Sequence, residues 1–388
     1  MQGNLATLGF NRPVFRPDHD SFRETTRRFF QRSIEPNVRQ WEIDGFFPAE
    51  LFREAGRAGL LCAAVPVEYG GAGGDLLHHI ILHEEHGYSP AGAALEAGLT
   101  TDLTANIICD SGTEEQKHTW LPFFASGEGI AEVGLTEPDA GSDARGIKTT
   151  AKRDGGDYVI NGQKMWMSNG PILTVLFVIS KIMLSGDREG TAMFIVPMDS
   201  KGVTRSRPTE LMMKSCGGTC EVFFDDVRVP ARNLLGETEG LGLKQALGSI
   251  ALGRVAAAVR AIAACELALA LTVDFVKNRR AFGQTIFDFQ NTQFKLASAA
   301  TEIAAGRAFV DTVLQKMAVC TTSAVESAML KLFCTELEGR VMDECVQLHG
   351  AAGYSNEYVI SKMYAFARVH RIYIGTSEIL RTIIGRSL

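Results

Sequence analysis

The sequence predicts an α+β protein in which a β-rich middle segment separates two helical ones. Apolar residues recur every three to four positions from Asp18 to about Ala131 and again after Gly242, which is the spacing of helices that bury one face. From about Val133 to Val229, short apolar runs alternate with turn residues, as expected of strands. A length of 388 residues suffices for two or three packed units. The expected units are an N-terminal all-α domain at residues 1–131, a middle antiparallel β-domain at 132–238 and a C-terminal four-helix bundle at 239–388.

The composition is that of an ordinary soluble globular protein, with 46% hydrophobic and 22% charged residues. A net charge of −6 without any basic run disfavours binding to nucleic acid or to an anionic membrane. Eight cysteines are scattered without a Cys-x-x-Cys pair, so we expect reduced thiols in a cytoplasmic protein. The longest apolar run, Ile172 to Leu184, contains Lys181 and is too short to span a bilayer. No secretory signal is apparent before Phe15.

Three histidines of the N-terminal segment share one face of an expected helix. His79, His83 and His86 are separated by four and three positions, a geometry that could bind a metal ion. The spacing does not match the His-Glu-x-x-His motif, and a polar helix face is the simpler interpretation. We therefore expect no metal site.

The stretch from Gly134 to Asp143 opens the middle segment with a tight, polar loop. Pro138 and the small residues around it restrict the backbone. Thr136 and Ser142 present hydroxyl groups, and Gly141 leaves backbone N–H groups open to a phosphate or a ring oxygen. Taken alone, such a loop is compatible with many polar turns.

The stretch from Tyr158 to Gly170 combines a turn signal with an aromatic side chain. Asn161-Gly162 lies between apolar runs, which predicts a hairpin turn at that dipeptide. Trp166 offers a flat apolar wall, and Ser168, two residues on, is expected on the same side of the strand.

The C-terminal third predicts long helices with short breaks, which is typical of an antiparallel bundle. The expected helices run from Leu247 to Lys277, from Gln290 to about Met317 and from Ser323 to Leu348. Gly350 follows the last of them, as glycine often does at a helix C-terminus.

The stretch from Arg371 to Arg381 is the most distinctive in the chain. Gly375 has no Cβ and lets the backbone pass close to a flat or bulky partner. Thr376, Ser377 and Glu378 then supply hydroxyls and a carboxylate on the expected first turn of a helix, where such groups are favoured.

These motifs, in this order, resemble the acyl-CoA dehydrogenase family over nearly the whole chain. The C-terminal stretch is similar to that family's flavin-contacting turn, which usually contains Tyr-Glu-Gly-Thr. The resemblance implies the family's three-domain fold, an FAD cofactor and removal of hydrogens from Cα and Cβ of an acyl-CoA. It also implies a flavoprotein electron acceptor and a homotetramer that shares each cofactor site between subunits.

The resemblance also assigns expected contacts by position. Arg254 corresponds to a residue that meets the pantetheine arm of CoA, and Glu96 lies on a segment that lines the acyl tail in the family. A solvated helix position is the alternative interpretation of Glu96, because unpaired carboxylates are rarely buried. The expected FAD contacts are Leu135, Thr136, Ser142, Trp166, Met167, Ser168, Arg279, Phe282, Gln290, Gln347, Gly350, Ala351, Thr376 and Glu378. The expected substrate contacts are Ser142, Arg254, Gly375 and Glu96.

The chain departs from the family at the catalytic base. The glutamate that usually precedes the glycine of the turn is replaced by Ile374, which cannot accept a proton. Some members carry the glutamate just before the helix arginine instead, and that position is Gly253. The catalytic residue is therefore unknown, with Glu96 a remote candidate and Tyr373 a weaker one, because an unperturbed tyrosine has a pKa of about 10.

Three functions stay open at this point. The chain is either a dehydrogenase with a relocated base, or an acyl-CoA flavoenzyme with different chemistry such as reduction, decarboxylation or elimination. The third possibility is a non-catalytic subunit that depends on a partner. The sequence does not identify the acyl group or the electron acceptor.

Overall fold

The computed structural model of the chain describes residues 12–96, 98–99, 101–186, 188–319 and 322–388. In chain order it has a helical region, a seven-stranded sheet and a second helical region, so the expected α+β organisation is confirmed. The N-terminal helices are α1 (Pro17–Phe29), α2 (Val38–Asp44), α3 (Glu50–Arg57), α4 (Leu76–Tyr88), α5 (Asp102–Ser111) and α6 (Glu114–Ala125). The C-terminal helices are α7 (Gly242–Asn278), α8 (Gln290–Met317), α9 (Ala324–His349), α10 (Ala351–Tyr354), α11 (Val359–His370) and α12 (Ser377–Gly385).

The strands of the sheet are β1 (Ala131–Gly134), β2 (Thr150–Asp154), β3 (Asp157–Met167), β4 (Val175–Leu184), β5 (Arg188–Pro197), β6 (Val203–Arg205) and β7 (Cys220–Pro230). They follow the order β1–β4–β2–β3–β7–β6, with β5 paired to β4. Most neighbours are antiparallel as expected, but β1 runs parallel to β4, with Ala131 beside Val175, and Thr150 lies parallel beside Lys181. The sheet is therefore mixed, because β4 returns beside β1 in the same direction after the β2–β3 hairpin.

The hairpin expected at Asn161-Gly162 is wrong. The chain turns earlier, at Gly155-Gly156 between β2 and β3, and Asn161-Gly162 lies inside β3. The pairing register of β3 with β7 shifts between Ile160 and Gly162, which marks a β-bulge. Gly162 has a φ of +143°, and a Cβ there would lie 2.5 Å from Oγ1 of Thr149. The glycine thus serves a close strand approach rather than a turn.

The C-terminal bundle is built around α7, which contacts α4, α8, α9 and α11. A short hairpin of β8 (Arg280–Ala281) and β9 (Gln284–Thr285) connects α7 to α8. Helix α7 is long and apolar enough to cross a membrane by length and composition, but 78% of its most apolar window is buried inside the fold. Alanine, valine and isoleucine side chains of α7 form the centre of the bundle core.

Buried ion pairs join the N-terminal helices to the bundle. Glu84 of α4 accepts hydrogen bonds from Arg12 (2.8 Å) and from Arg307 of α8. Arg307 also donates to Glu266 of α7 at 2.9 Å. One turn further along α4, Gly87 allows close packing, because a Cβ there would lie 2.5 Å from the carbonyl oxygen of Arg260. These contacts fix α4 against the stretch of α7 that faces the candidate site.

Candidate active site

The turn between α11 and α12 has a strained backbone. Ile374 adopts φ +54° and Gly375 φ +98°. The glycine tolerates this conformation, but a β-branched residue in the left-handed region costs about 1–2 kcal/mol. Thr376 then caps α12 by accepting a hydrogen bond from the backbone N–H of Ile379 (3.3 Å). Backbone strain of this kind is concentrated at functional sites.

Two buried cations hold the carbonyl groups of this turn. Arg254 of α7 donates from Nε to the carbonyl oxygen of Ile374 (3.3 Å), and Lys331 of α9 donates from Nζ to that of Gly375 (2.9 Å). Burial lowers the pKa of Arg254. Burial, and then the neighbouring charge of Arg254, lower the pKa of Lys331 to about 8. The turn is thus fixed between two positive charges.

The two positions where the family carries its base face each other. A Cβ built on Gly253 would lie 3.4 Å from Cδ1 of Ile374. A glutamate at either position would therefore project into the same space, beside the turn whose carbonyl groups the two cations bind. In this chain that space is lined by an isoleucine and a glycine. The structure thus brings together Arg254, Ile374 and Gly375.

A third buried cation connects Tyr373 to Glu96. Arg260 of α7 donates to the hydroxyl oxygen of Tyr373 (2.5 Å) and to the backbone carbonyl of Glu96 (2.9 Å). Arg260 is only 6% exposed, and its Nε atom has no hydrogen-bond partner within the described residues. Burial raises the pKa of Tyr373, although the positive charge of Arg260 opposes this effect. Tyr373 is therefore protonated near neutral pH.

Glu96 is buried, so its interpretation as a solvated helix position is wrong. It follows a short 3₁₀ turn with φ +52° and is 7% exposed. Its carboxylate accepts hydrogen bonds from the hydroxyls of Ser215 and Thr219, the latter at 2.6 Å. Burial raises the pKa of Glu96, while the two hydroxyls lower it. Its link to the turn runs through its backbone carbonyl, and its carboxylate is engaged elsewhere.

The expected flavin contacts of the middle domain form a platform where β1 and β3 end. The backbone N–H of Met165 donates to the carbonyl of Thr136 (2.9 Å), which joins the two strand ends. Trp166 is 51% exposed with φ +64°, and so presents its ring as an open apolar surface. Ser142 is exposed on the adjacent loop, where a Cβ on Gly141 would meet nothing within 4 Å. This open, flat and polar-edged surface fits an aromatic ring system.

Regular strand alternation does not extend through this platform. The pairing of β3 with β7 shifts between Lys164 and Met167, and β3 ends at Met167. Trp166 and Ser168 therefore do not share one side of a regular strand, which corrects the expectation from period-two spacing. The side chain of Met167 is 3% exposed and packs in the core, so it does not present itself to a ligand.

Six of the other expected cofactor contacts lie at the opposite end of the bundle. From Arg254 to Arg279, α7 rises about 37 Å. The hairpin after α7 places Phe282 at its tip with φ +52° and 95% exposure. Leu135 lies at the platform and is partly buried, and Glu378 is exposed on the first turn of α12. The exposed members at the far end are Arg279, Phe282, Gln290, Gln347, Gly350 and Ala351.

Comparison with known proteins identifies the family. Three family models match the chain in order: "Acyl-CoA dehydrogenase, N-terminal domain" over residues 16–128, "Acyl-CoA dehydrogenase, middle domain" over 133–227 and "Acyl-CoA dehydrogenase, C-terminal domain" over 240–388. The chain belongs to the acyl-CoA dehydrogenase family. It is thus an oxidoreductase of that family, as its sequence motifs predict.

Individual acyl-CoA dehydrogenases resemble the chain over nearly its full length. The mitochondrial long-chain specific acyl-CoA dehydrogenase of Mus musculus is 38% identical over 99% of this chain and 89% of that protein. A crystal structure of acyl-CoA dehydrogenase from Geobacillus kaustophilus has a TM-score of 0.92 at 38% identity, covering 97% of this chain and 99% of that one. A second, from Bacillus anthracis in complex with FAD, has a TM-score of 0.89 at 32% identity, covering 97% and 68%.

Sequence reasoning missed two residues of this acyl-CoA dehydrogenase site, Lys331 and Arg260. Lys331 lies in register with the buried residues Ala328 and Cys334 of α9, and so interrupts an apolar stripe. Arg260 interrupts the apolar face of α7 in the same way. A charged residue at a core position is a signal of a buried polar contact. That signal was present in the sequence and marks both residues.

Of the three aligned histidines of α4, His79 and His86 are buried and His83 is partly buried, so the polar helix face expected from the sequence lies inside the fold. His79 is hydrogen-bonded to Asp102 (3.1 Å) and His86 to the carbonyl of Gly92 (2.8 Å). Burial lowers the pKa of His86 to about 3. His79 and His86 therefore serve as hydrogen-bonded core residues.

A different cluster, of Asp18, His19 and His78, brings potential metal ligands within 4.8 Å of one another. Nδ1 of each histidine accepts a hydrogen bond from a backbone N–H, that of Arg16 or of Asp75, at 3.1 Å. Arg16 also binds the carboxylates of Asp18 and Asp75. The cluster is thus engaged in capping α1 and α4.

Proposed function

We propose that the chain is an FAD-dependent oxidoreductase that oxidises the Cα–Cβ bond of an acyl-CoA thioester without a carboxylate base at the family's positions. The observation that carries this proposal is that the side-chain positions of Ile374 and Gly253 face each other at a turn whose carbonyl groups two buried cations bind. The backbone of the turn, its cap and its cations are all present. What has changed is the chemistry of one small space.

FAD supplies a two-electron acceptor when bound. Trp166 provides a flat wall for its ring system, and Thr136, Ser142 and Thr376 provide hydroxyl groups. Arg279 and Phe282 follow the far end of α7, too distant from Arg254 to serve the same cofactor molecule, so we propose that they serve that of a second copy in a homotetramer. Among similar proteins, the FAD complex of the Bacillus anthracis enzyme supports this choice of cofactor.

The proton from Cα has no evident acceptor among the described side chains of the site. Tyr373 is a poor base, because burial raises its pKa. Glu96 is connected to the turn only by its backbone carbonyl, while its carboxylate is held by Ser215 and Thr219. These contacts weigh against a relocated base at either residue.

Glu96→Gln tests the relocated base directly. Glutamine keeps the size and can still bind the two hydroxyls, but it cannot accept the proton. We expect the rate of flavin reduction to change by only a few-fold. Loss of a general base would lower it by about 10²–10⁴-fold, and a loss of that size in stopped-flow traces would establish Glu96 as the base.

The proposed activity is tested on the purified chain by anaerobic titration with acyl-CoA thioesters of different acyl groups. We expect bound FAD in the visible spectrum, and a change of its absorbance by at least one thioester. A protein that neither retains FAD nor takes it up on reconstitution would contradict the proposal. The cytoplasmic location and a flavoprotein electron acceptor belong to the same proposal and need separate tests in the host cell.

A further inference from the structure

The turn at Ile374 is surrounded by more positive than negative charge. Arg254 and Lys331 bind its carbonyl groups, and neither has a carboxylate within 4.0 Å among the described residues. Arg260, which donates to the hydroxyl of the preceding residue Tyr373, also has no carboxylate within 4.0 Å in the described part of the chain. Burying charges without counter-charges is costly, unless a ligand supplies them.

Two carboxylates that act on this cluster, Glu336 and Glu338, are already occupied, and Glu338 is hydrogen-bonded to His370 (2.6 Å). Glu336 accepts a hydrogen bond from Ser377 (2.5 Å) and lies 3.6 Å from Arg371 and 3.7 Å from Arg381. Glu336 raises the pKa of Lys331, but this effect is smaller than the lowering of that pKa by burial and by the charge of Arg254. The positive charge on the substrate side of the turn is therefore not neutralised by this residue.

The space between Gly253 and Ile374 is lined by apolar carbons of Ile374, and the two cations bind the carbonyl groups of the same turn. A protein carboxylate at either position would both neutralise the cations and accept a proton. This chain provides neither function there. An anion brought by the ligand would restore the charge balance, and its carbon skeleton would fit against Ile374.

We propose that the substrate carries this anion itself, as an acyl-CoA with a carboxylate on Cα. This substrate class rests on the proposed function and explains why no base is needed. The carboxylate occupies the space where the glutamate of other family members would lie, and it leaves as CO₂ in place of the Cα proton.

The step balances without a protein base. A hydride leaves Cβ for FAD, and the bond between Cα and the carboxylate carbon breaks. The electron pair of that bond forms the Cα=Cβ double bond, and the carboxylate carbon departs as neutral CO₂. The negative charge of the substrate carboxylate is thereby transferred with the hydride to the reduced flavin. The products are an enoyl-CoA, CO₂ and two-electron-reduced FAD.

The residues of this chain have separate tasks in that step. Arg254 and Lys331 attract the carboxylate by charge, and the Nη2 atom of Arg254 makes no hydrogen bond with a described residue. Ile374 excludes water beside Cα, which favours loss of charge from the carboxylate. Gly253 leaves room for the carboxylate, because it has no side chain of its own.

Matched pairs of thioesters test the proposal. Ethylmalonyl-CoA and butyryl-CoA differ only in the Cα carboxylate and give the same product, crotonyl-CoA. The titration is done anaerobically with the FAD-loaded protein, together with longer-chain pairs, and both flavin absorbance and released CO₂ are measured. We expect the carboxylated member of at least one pair to reduce the flavin with one CO₂ per flavin, and its neutral partner to leave the flavin oxidised.

Binding provides a readout that does not depend on turnover. By calorimetry we expect the carboxylated member to bind about ten-fold or more tightly than its neutral partner, the effect of one charge-assisted contact. Lys331→Met removes one cation and is expected to abolish most of that difference in affinity within a pair. Equal affinity within every pair, or flavin reduction by the neutral members, overturns the proposed substrate class. Failure of every thioester to bind contradicts the proposed function instead.

Discussion

At the scale of single residues, the site depends on what replaces one glutamate. Ile374 retains the left-handed backbone of the turn although an isoleucine is unsuited to it. The sequence identified this position and Gly253 by resemblance, but it did not indicate that the two side-chain positions are in contact. That contact joins residues 121 positions apart in the chain, and only packing of α7 against the turn creates it.

The strain at Ile374 is measurable by comparison with a neighbour. We expect Ile374→Gly to lower the free energy of unfolding by about 1 kcal/mol less than Ile372→Gly does, because glycine relieves backbone strain only where φ is positive. Ile372 is 50% exposed and has no positive φ, so burial alone would give the opposite order. Urea unfolding of both variants provides the comparison. A larger loss for Ile374→Gly would contradict the presence of strain.

Lys331 makes stability depend on pH. Its pKa is lowered to about 8 in the folded chain, below an ordinary lysine near 10.5 in the unfolded chain. Between these values the unfolded chain binds the additional proton, so stability from this group rises as pH increases from about 8 to 10.5. Below pH 8 both states are protonated and the contribution is constant.

Lys164 also has a pKa lowered to about 8 and contributes a similar pH dependence. Because Lys164 is present in both the wild type and Lys331→Met, the difference between these two proteins isolates the contribution of Lys331. We expect the wild type to gain stability relative to Lys331→Met between pH 7 and 9.5. Chemical unfolding at several pH values measures the difference. Parallel stability curves would show that Lys331 titrates normally.

At the scale of elements, hydrophobic periodicity predicted the helices well, whereas turn residues did not predict the position of the β-hairpin. The expected helix from Gln290 to about Met317 agrees with α8, because its apolar face is regular and long. The hairpin at Asn161-Gly162 failed, because the same dipeptide also suits a β-bulge and Gly155-Gly156 competes for the turn. The histidines of α4 and Glu96 failed for another reason: their burial depends on tertiary partners that a single sequence does not display.

The bulge assignment is tested with two glycines of one hairpin. Gly162→Ala places a Cβ 2.5 Å from Oγ1 of Thr149 and is expected to destabilise the protein by about 1–3 kcal/mol. Gly156→Ala is the matched control, because a Cβ there meets nothing within 4 Å and its φ is not positive. We expect the control to unfold at nearly the wild-type urea concentration. Equal effects of the two substitutions would contradict the close approach at the bulge.

At the scale of the whole molecule, the expected FAD contacts divide into two groups at opposite ends of α7. The sequence predicted the members of both groups by resemblance, and the structure separates them by about 37 Å along the helix. The proposed cofactor site completed by a second copy would account for the 95% exposure of Phe282 in one chain. Large exposed aromatic residues are typical of interaction surfaces.

Phe282→Asp tests this arrangement. We expect the variant to retain less FAD and to shift to smaller species in size-exclusion chromatography with light scattering, because a charge at the hairpin tip opposes burial. Val319→Asp is the control, since Val319 is 84% exposed beyond the end of α8 and outside both groups. A wild-type assembly and FAD content for Phe282→Asp would argue against a shared site.

The central claim is that no protein base serves Cα, and proton exchange at Cα measures it most directly. The FAD-loaded protein is incubated with a saturated acyl-CoA that it binds, in D₂O, and deuterium at Cα is followed by mass spectrometry. We expect no incorporation by the wild type, incorporation by Ile374→Glu, and none by Ile374→Gln, which matches the glutamate in size. Deuterium at Cα with the wild type would contradict the account, because it would require a base that the site around Ile374 and Gly253 does not provide.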